Sequence, residues 1–166
     1  MRYSAKQQAS WLRIGVSLCL LLFLVLLPLP KWIQWWQPQW LLLGAIYWSL
    51  QAPSRFGVFS AWTVGLLLDC VTEGLFGLNA LAMAVIAYFV YLLHHRIRLF
   101  PWWQQCFTVF VLVGLYQTLM RVLHSLLGDP VAEGFYYYLS ALISGLLWPA
   151  LRLLSVGSAR KTAVFN

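Results

Sequence analysis

The stretch GLLLDCVTEGLFGLNALAM, residues 65–83, holds two carboxylates four residues apart, Asp69 and Glu73. Further on, Gly114, Gln117, Thr118, Arg121, His124 and Ser125 recur at three- and four-residue steps. A carboxylate and a histidine can relay a proton, and a carboxylate and an arginine can form an ion pair. Hydrolysis or group transfer asks for more, namely a nucleophile and donors for the oxyanion. None accompanies these residues, and the chain has no Walker A, HExxH or GxSxG pattern. Cys19, Cys70 and Cys106 are scattered, with no CxxC or Cys/His spacing for a metal or a redox pair. His94 and His95 adjoin Arg96 and Arg98, a basic cluster suited to anionic lipid rather than to a metal. No catalytic residue, cofactor or metal is expected, and the chain does not read as an enzyme.

What positions these residues is set by composition. Hydrophobic residues make up 62% of the 166 and charged residues 9%, against roughly 45–50% and about 25% in soluble domains. That places the chain in the membrane class. The net charge of +7 does not point to nucleic acid, because membrane proteins collect Lys and Arg in their cytoplasmic loops. The first apolar stretch lacks a small-residue cleavage site and runs into PLPKWIQWWQPQW, so it reads as a retained span.

Charge, Pro and Trp divide the chain into six apolar segments: 11–27, 40–52, 56–72, 75–93, 104–127 and 135–154. They predict an all-α integral membrane protein, a compact bundle of about six transmembrane helices in one polytopic domain, 1–166. The second segment is short of the roughly 20 residues a span needs and ends at Pro53. With six spans, Arg2, Lys6, Arg13, Arg55, Arg96, Arg98, Arg152, Arg160 and Lys161 share one side. Lys31 and all four acids, Asp69, Glu73, Asp129 and Glu133, fall on the other. The positive-inside rule then makes both termini cytoplasmic. Trp32, Trp35, Trp36 and Trp40 fit the outer headgroup boundary, and Trp102 and Trp103 an inner one.

Within the spans, Gly57, Ala61, Gly65 and Asp69 form a ridge of small residues ending in a charge. Ala80, Ala84 and Ala87 form a matching stripe on the next segment. Helices in lipid associate by close packing and interhelical hydrogen bonds, so these two segments are expected to pack through those faces. Arg121, inside its segment, is costly in lipid without a partner. Its depth suggests a pair with Asp69, with Glu73 and His124 as alternates nearer the surface. Such a pair could be structural glue, line a small-molecule site or meet a partner's helix; the residues favour the first. Pro149, in GLLWPALRLL, removes a backbone donor, and Ser144 and Gly145 a turn earlier could ease the freed backbone.

These motifs together resemble the MreD family of rod shape-determining membrane proteins. The resemblance rests on Gly65, Asp69, Gly74, Gly77, Ala80–Met83 and Tyr88, on Pro38 and Trp40, on Trp102–Gln105 and on Gly145–Pro149. It covers nearly the whole chain. It implies a fold like the six-helix substrate-binding subunits of energy-coupling-factor vitamin transporters. It also implies a place in the bacterial cytoplasmic membrane beside MreC, a single-span protein, with indirect links to MreB filaments, RodA and a class B penicillin-binding transpeptidase. The expected function is a non-enzymatic scaffold of cell-wall elongation that maintains rod shape. The alternative is the small-molecule binding subunit of an energy-coupling-factor type transporter; a lipid-modifying enzyme is a weaker third. Gly65, Asp69, Glu73, Gly77, Arg121, His124 and Pro149 are the candidate structural or partner-interface residues.

Overall fold

The computed structural model describes residues 2–27, 38–72, 77–128 and 138–161, with side chains described for residues 12–151 within those ranges. These form six helices: α1 (Arg2–Leu26), α2 (Trp40–Gln51), α3 (Val58–Thr72), α4 (Leu78–Leu99), α5 (Trp102–Leu126) and α6 (Leu139–Lys161). Among the described residues there is no strand. Each helix overlaps one of the six apolar segments. The helices α4 and α5 are long and apolar enough to cross a membrane, and Leu12–Leu26, Val58–Thr72 and Leu139–Leu151 are shorter apolar stretches.

The hub of the bundle is α4, which packs against α2, α3 and α5. Its small and branched residues explain how one helix serves three neighbours. Ala80, Ala82, Met83, Ile86, Ala87 and Val90 are all buried, whereas Tyr88, Tyr91 and Leu92 are exposed. The α1 helix leans on α2, where Trp48 Nε1 donates to Ser17 Oγ at 2.8 Å. The α6 helix packs on α5, where a β-carbon at Gly145 would come within 3.1 Å of the Cys106 carbonyl oxygen and Phe110 Cβ.

The short second segment is a short helix. The 12 residues of α2 reach about 18 Å at 1.5 Å per residue, well under the ~30 Å hydrocarbon core. It is nonetheless deeply packed, with Leu41, Leu42, Leu43, Ala45 and Ile46 buried. Its start is tied to α6 by Gln39 N–H donating to Ser144 Oγ at 3.2 Å. Its end falls just before Pro53, which disfavours helical backbone at the preceding residue. Pro149, by contrast, lies within a helix that continues past it to Lys161. Ser144 donates to the Ser140 carbonyl at 2.7 Å, so its hydroxyl serves its own turn and the start of α2 rather than the backbone freed by the proline.

The closest approach in the bundle is between α3 and α4. A β-carbon at Gly65 would lie 2.5 Å from Ala80 Cα and 2.8 Å from the Ala80 nitrogen and the Asn79 carbonyl oxygen. All three are backbone atoms, so nothing there can rotate aside. Ala61 and Ala80 are fully buried on the same seam. The small-residue ridge is therefore a backbone-to-backbone contact. Gly65→Ala is expected to destabilise by about 2–3 kcal/mol. Gly114→Ala is the contrasting case: nothing lies within 4 Å of a β-carbon there, and alanine favours mid-helix positions over glycine by up to ~1 kcal/mol. Denaturation in mixed detergent micelles should therefore move in opposite directions for the two variants. Equal shifts would dismiss the seam.

Candidate functional site

The Asp69 carboxylate is 1% exposed and sits against the first turn of α4. Its Oδ2 accepts from Gly77 N–H at 3.0 Å and Ala80 N–H at 3.2 Å. Its Oδ1 accepts from Asn79 N–H at 3.1 Å and from the Asn79 side-chain amide at 2.9 Å. The first four N–H groups of a helix have no partner within it. Asp69 takes those of Gly77, Asn79 and Ala80, three of the four at this end. A negative group there also meets the positive end of the helix dipole.

Two local features make this possible. Gly77 adopts φ +97° at the N-cap, a left-handed conformation that glycine takes without strain. This turns the chain so that successive N–H groups face back toward α3. Nothing lies near a β-carbon at Gly77, so its contribution is backbone conformation; close approach is the work of Gly65, one helical turn from Asp69. A third helix joins through Tyr116, whose hydroxyl donates to Asn79 Oδ1.

The expected Asp69–Arg121 pair does not form. The carboxylate is already occupied by four donors, and Arg121 Cζ lies 5.6 Å from the centroid of the Tyr138 ring, within cation–π range. The physical reason is length. Tyr116 is the α5 residue that reaches the start of α4, and Arg121 lies five residues later, roughly 7.5 Å further along the axis. Depth counted from helix ends misplaced it, because α5 runs well past the level at which α4 begins. Glu73 lies outside the described residues, as do Asp129, Glu133 and Trp32–Trp36.

The polar stripe on α5 is likewise divided. Gln117 is 1% exposed and its Nε2 donates to Ser140 Oγ on α6. Thr118 is exposed; its hydroxyl donates to the Gly114 carbonyl at 2.8 Å and lies 3.3 Å from the Tyr138 hydroxyl. His124 is half-buried in the last turn, where a basic residue suits the helix dipole.

A counterpart to Asp69 stands at the other end of α4. The buried Gln105 side chain, on α5, donates through Nε2 to the Ile97 carbonyl at 3.1 Å and the Phe100 carbonyl at 3.0 Å. Its Oε1 accepts from Trp148 Nε1 at 3.4 Å. One neighbour thus supplies an acceptor to the amino end of α4, and another supplies a donor to its carboxyl end. Asn79, Tyr116 and Gln105 were not singled out individually in the sequence. The available signals were an asparagine in the first turn after a glycine, and a glutamine beside a buried tryptophan.

Chemically, this arrangement fixes helices. Interhelical hydrogen bonds in membranes average about 0.6 kcal/mol, while bonds to a charged group are worth roughly 1.5–3 kcal/mol in water-soluble proteins. Four bonds to one carboxylate put the loss for Asp69→Ala at about 3 kcal/mol, with Asp69→Asn at about half of that because one amide oxygen remains. A double-mutant cycle should show coupling between Asp69→Asn and Asn79→Ala, and additivity between Asp69→Asn and Arg121→Gln. Additivity in the first pair would refute the capping role.

Comparison with known proteins agrees with the motif pattern. The family model described as rod shape-determining protein MreD matches residues 6–156. The Rod shape-determining protein MreD of Haemophilus influenzae is 29% identical over 157 residues, covering 91% of this chain and 93% of that protein. No solved structure matches significantly. With a family model matched along most of its length and its apolar helices in place, the chain belongs to the MreD family of rod shape-determining membrane proteins.

Proposed function

We propose that the chain is a non-enzymatic scaffold of the bacterial cell-wall elongation machinery, holding the single-span protein MreC within the cytoplasmic membrane. Through MreC it connects indirectly to MreB filaments, RodA and a class B penicillin-binding transpeptidase. Membership in the rod shape-determining family carries this reading. The geometry supports it, because the most chemically able residue, Asp69, is engaged in holding α4 in place. A carboxylate whose two oxygens are taken up by the start of one helix acts as a fastener. The α3–α4 unit also presents apolar side chains outward, including Phe59, Leu67 and Leu81, so a partner helix would meet a rigid surface.

In this proposal the chain crosses the membrane six times, the short α2 completing its crossing together with the residues that flank it, and both termini lie in the cytoplasm. Nine of the 11 Lys and Arg residues then share the cytoplasmic side, in keeping with the positive-inside rule. In a cysteine-free background, cysteines placed at Ser4 and Ser158 should resist a membrane-impermeant maleimide added to intact spheroplasts and react after lysis. Labelling before lysis would reverse the orientation.

The functional test is co-purification of tagged protein from native membranes in mild detergent. MreC is the expected companion, and Gly65→Ala and Asp69→Ala should lower its recovery several-fold at matched abundance. Recovery of a paired ATPase with a coupling membrane subunit in place of MreC would overturn the scaffold.

A further inference from the structure

Four helices converge at the end of the bundle opposite Asp69. Between them lies a small open cleft, about 40 Å³ within its walls, lined by Tyr47, Leu50, Gln51, Ile97, Arg98, Gln105 and Trp148. Its polar interior is largely self-satisfied, because Gln105 bonds the Ile97 and Phe100 carbonyls and accepts from Trp148. The exception is Arg98. It is the one charged lining residue, it is exposed, and the bond it makes among the described residues is a long one, 3.4 Å, to the Gln51 carbonyl.

Among the described residues, no carboxylate lies near this guanidinium. Asp69, the one acid among the described residues, is buried at the far end of α3. Arg96 and Arg98 lie in the last turn of α4, and Arg55 between α2 and α3, at the opposite end. A counter-anion from outside the chain can reach this exposed guanidinium. Trp102 and Trp103, just before Gln105 on α5, are 69% and 60% exposed, and exposed tryptophans settle at the headgroup level of a bilayer. What a bilayer supplies at that depth is lipid phosphate.

We propose that the mouth of this cleft binds the head of one anionic phospholipid, with its phosphate on Arg98. A guanidinium matches a phosphate with parallel N–H donors. No lining residue is acidic, so no carboxylate pairs with the ammonium of a zwitterionic head, whereas a net-anionic head pairs fully with Arg98. The orientation proposed above decides only which leaflet supplies the lipid; the binding itself is independent of it.

Native mass spectrometry of the delipidated protein, offered equal phosphatidylglycerol and phosphatidylcholine, tests this. The wild type should retain one phosphatidylglycerol under activation that strips phosphatidylcholine. Arg98→Gln should reduce that retained fraction by roughly tenfold, as for loss of one charge-assisted pair. Arg98→Lys should recover part of it, and Arg96→Gln should leave it unchanged. Arg98 is exposed, so thermal unfolding should match the wild type and separate lost binding from lost fold. Retention unchanged in Arg98→Gln, or phosphatidylcholine held as firmly, overturns the site. Stabilisation by inorganic phosphate without retained phosphatidylglycerol overturns the lipid and makes a free phosphate the occupant. MreC recovery is read separately, so failure here leaves the scaffold standing.

Discussion

A helix that begins inside a packed apolar bundle brings unpartnered N–H groups with it, and apolar side chains offer them nothing. In this bundle the helix concerned is α4, the one packed against α2, α3 and α5. The Asp69 carboxylate resolves two difficulties at once. It satisfies the backbone donors of Gly77, Asn79 and Ala80, and those donors make a buried charge tolerable. Neither half would be stable alone in an apolar setting. The Gly65 seam follows from the same requirement, since a carboxylate on a short side chain reaches a neighbouring backbone only if the two helices nearly touch.

The far end of α4 presents the inverse difficulty, carbonyls in place of amides, and is met by an inverse group, the amide of Gln105. The hub is thus held at both ends by side chains from other helices, without a capping side chain of its own at its N-cap. This arrangement lets α2 be short. Its role is to fill space beside α4 with Leu41–Ile46, and its start is anchored by Ser144.

Much of the fold was legible because hydrophobic runs and breakers report helix existence directly. The six segments match six helices, Pro53 marks the end of α2, and the Gly65–Asp69 ridge is the α3–α4 seam. Partner choice across helices was harder to read. Sequence spacing fixes which residues share a face, but not how far one helix slides past another. A slide of about five residues along α5 replaces Arg121 with Tyr116 at the start of α4. The α5 stripe failed for a related reason: the periodicity grouped Gln117 with Thr118, yet one is buried against α6 and the other exposed. Gln105 was quoted within a family motif, but its link to carbonyls several residues earlier depends on the tight Phe100–Pro101 turn, which no periodicity reports.

The Asp69 contact also imposes an order on biogenesis. The chain is made from its amino end, so α3 is complete before Gly77, Asn79 and Ala80 exist. An isolated α3 released sideways into lipid would carry a bare carboxylate a turn below its end. The arrangement is satisfied only when both strokes of the hairpin are present, with Gly65 against Ala80. The two helices accordingly complete one another: the carboxylate of the first gains its backbone donors only when the second has been made.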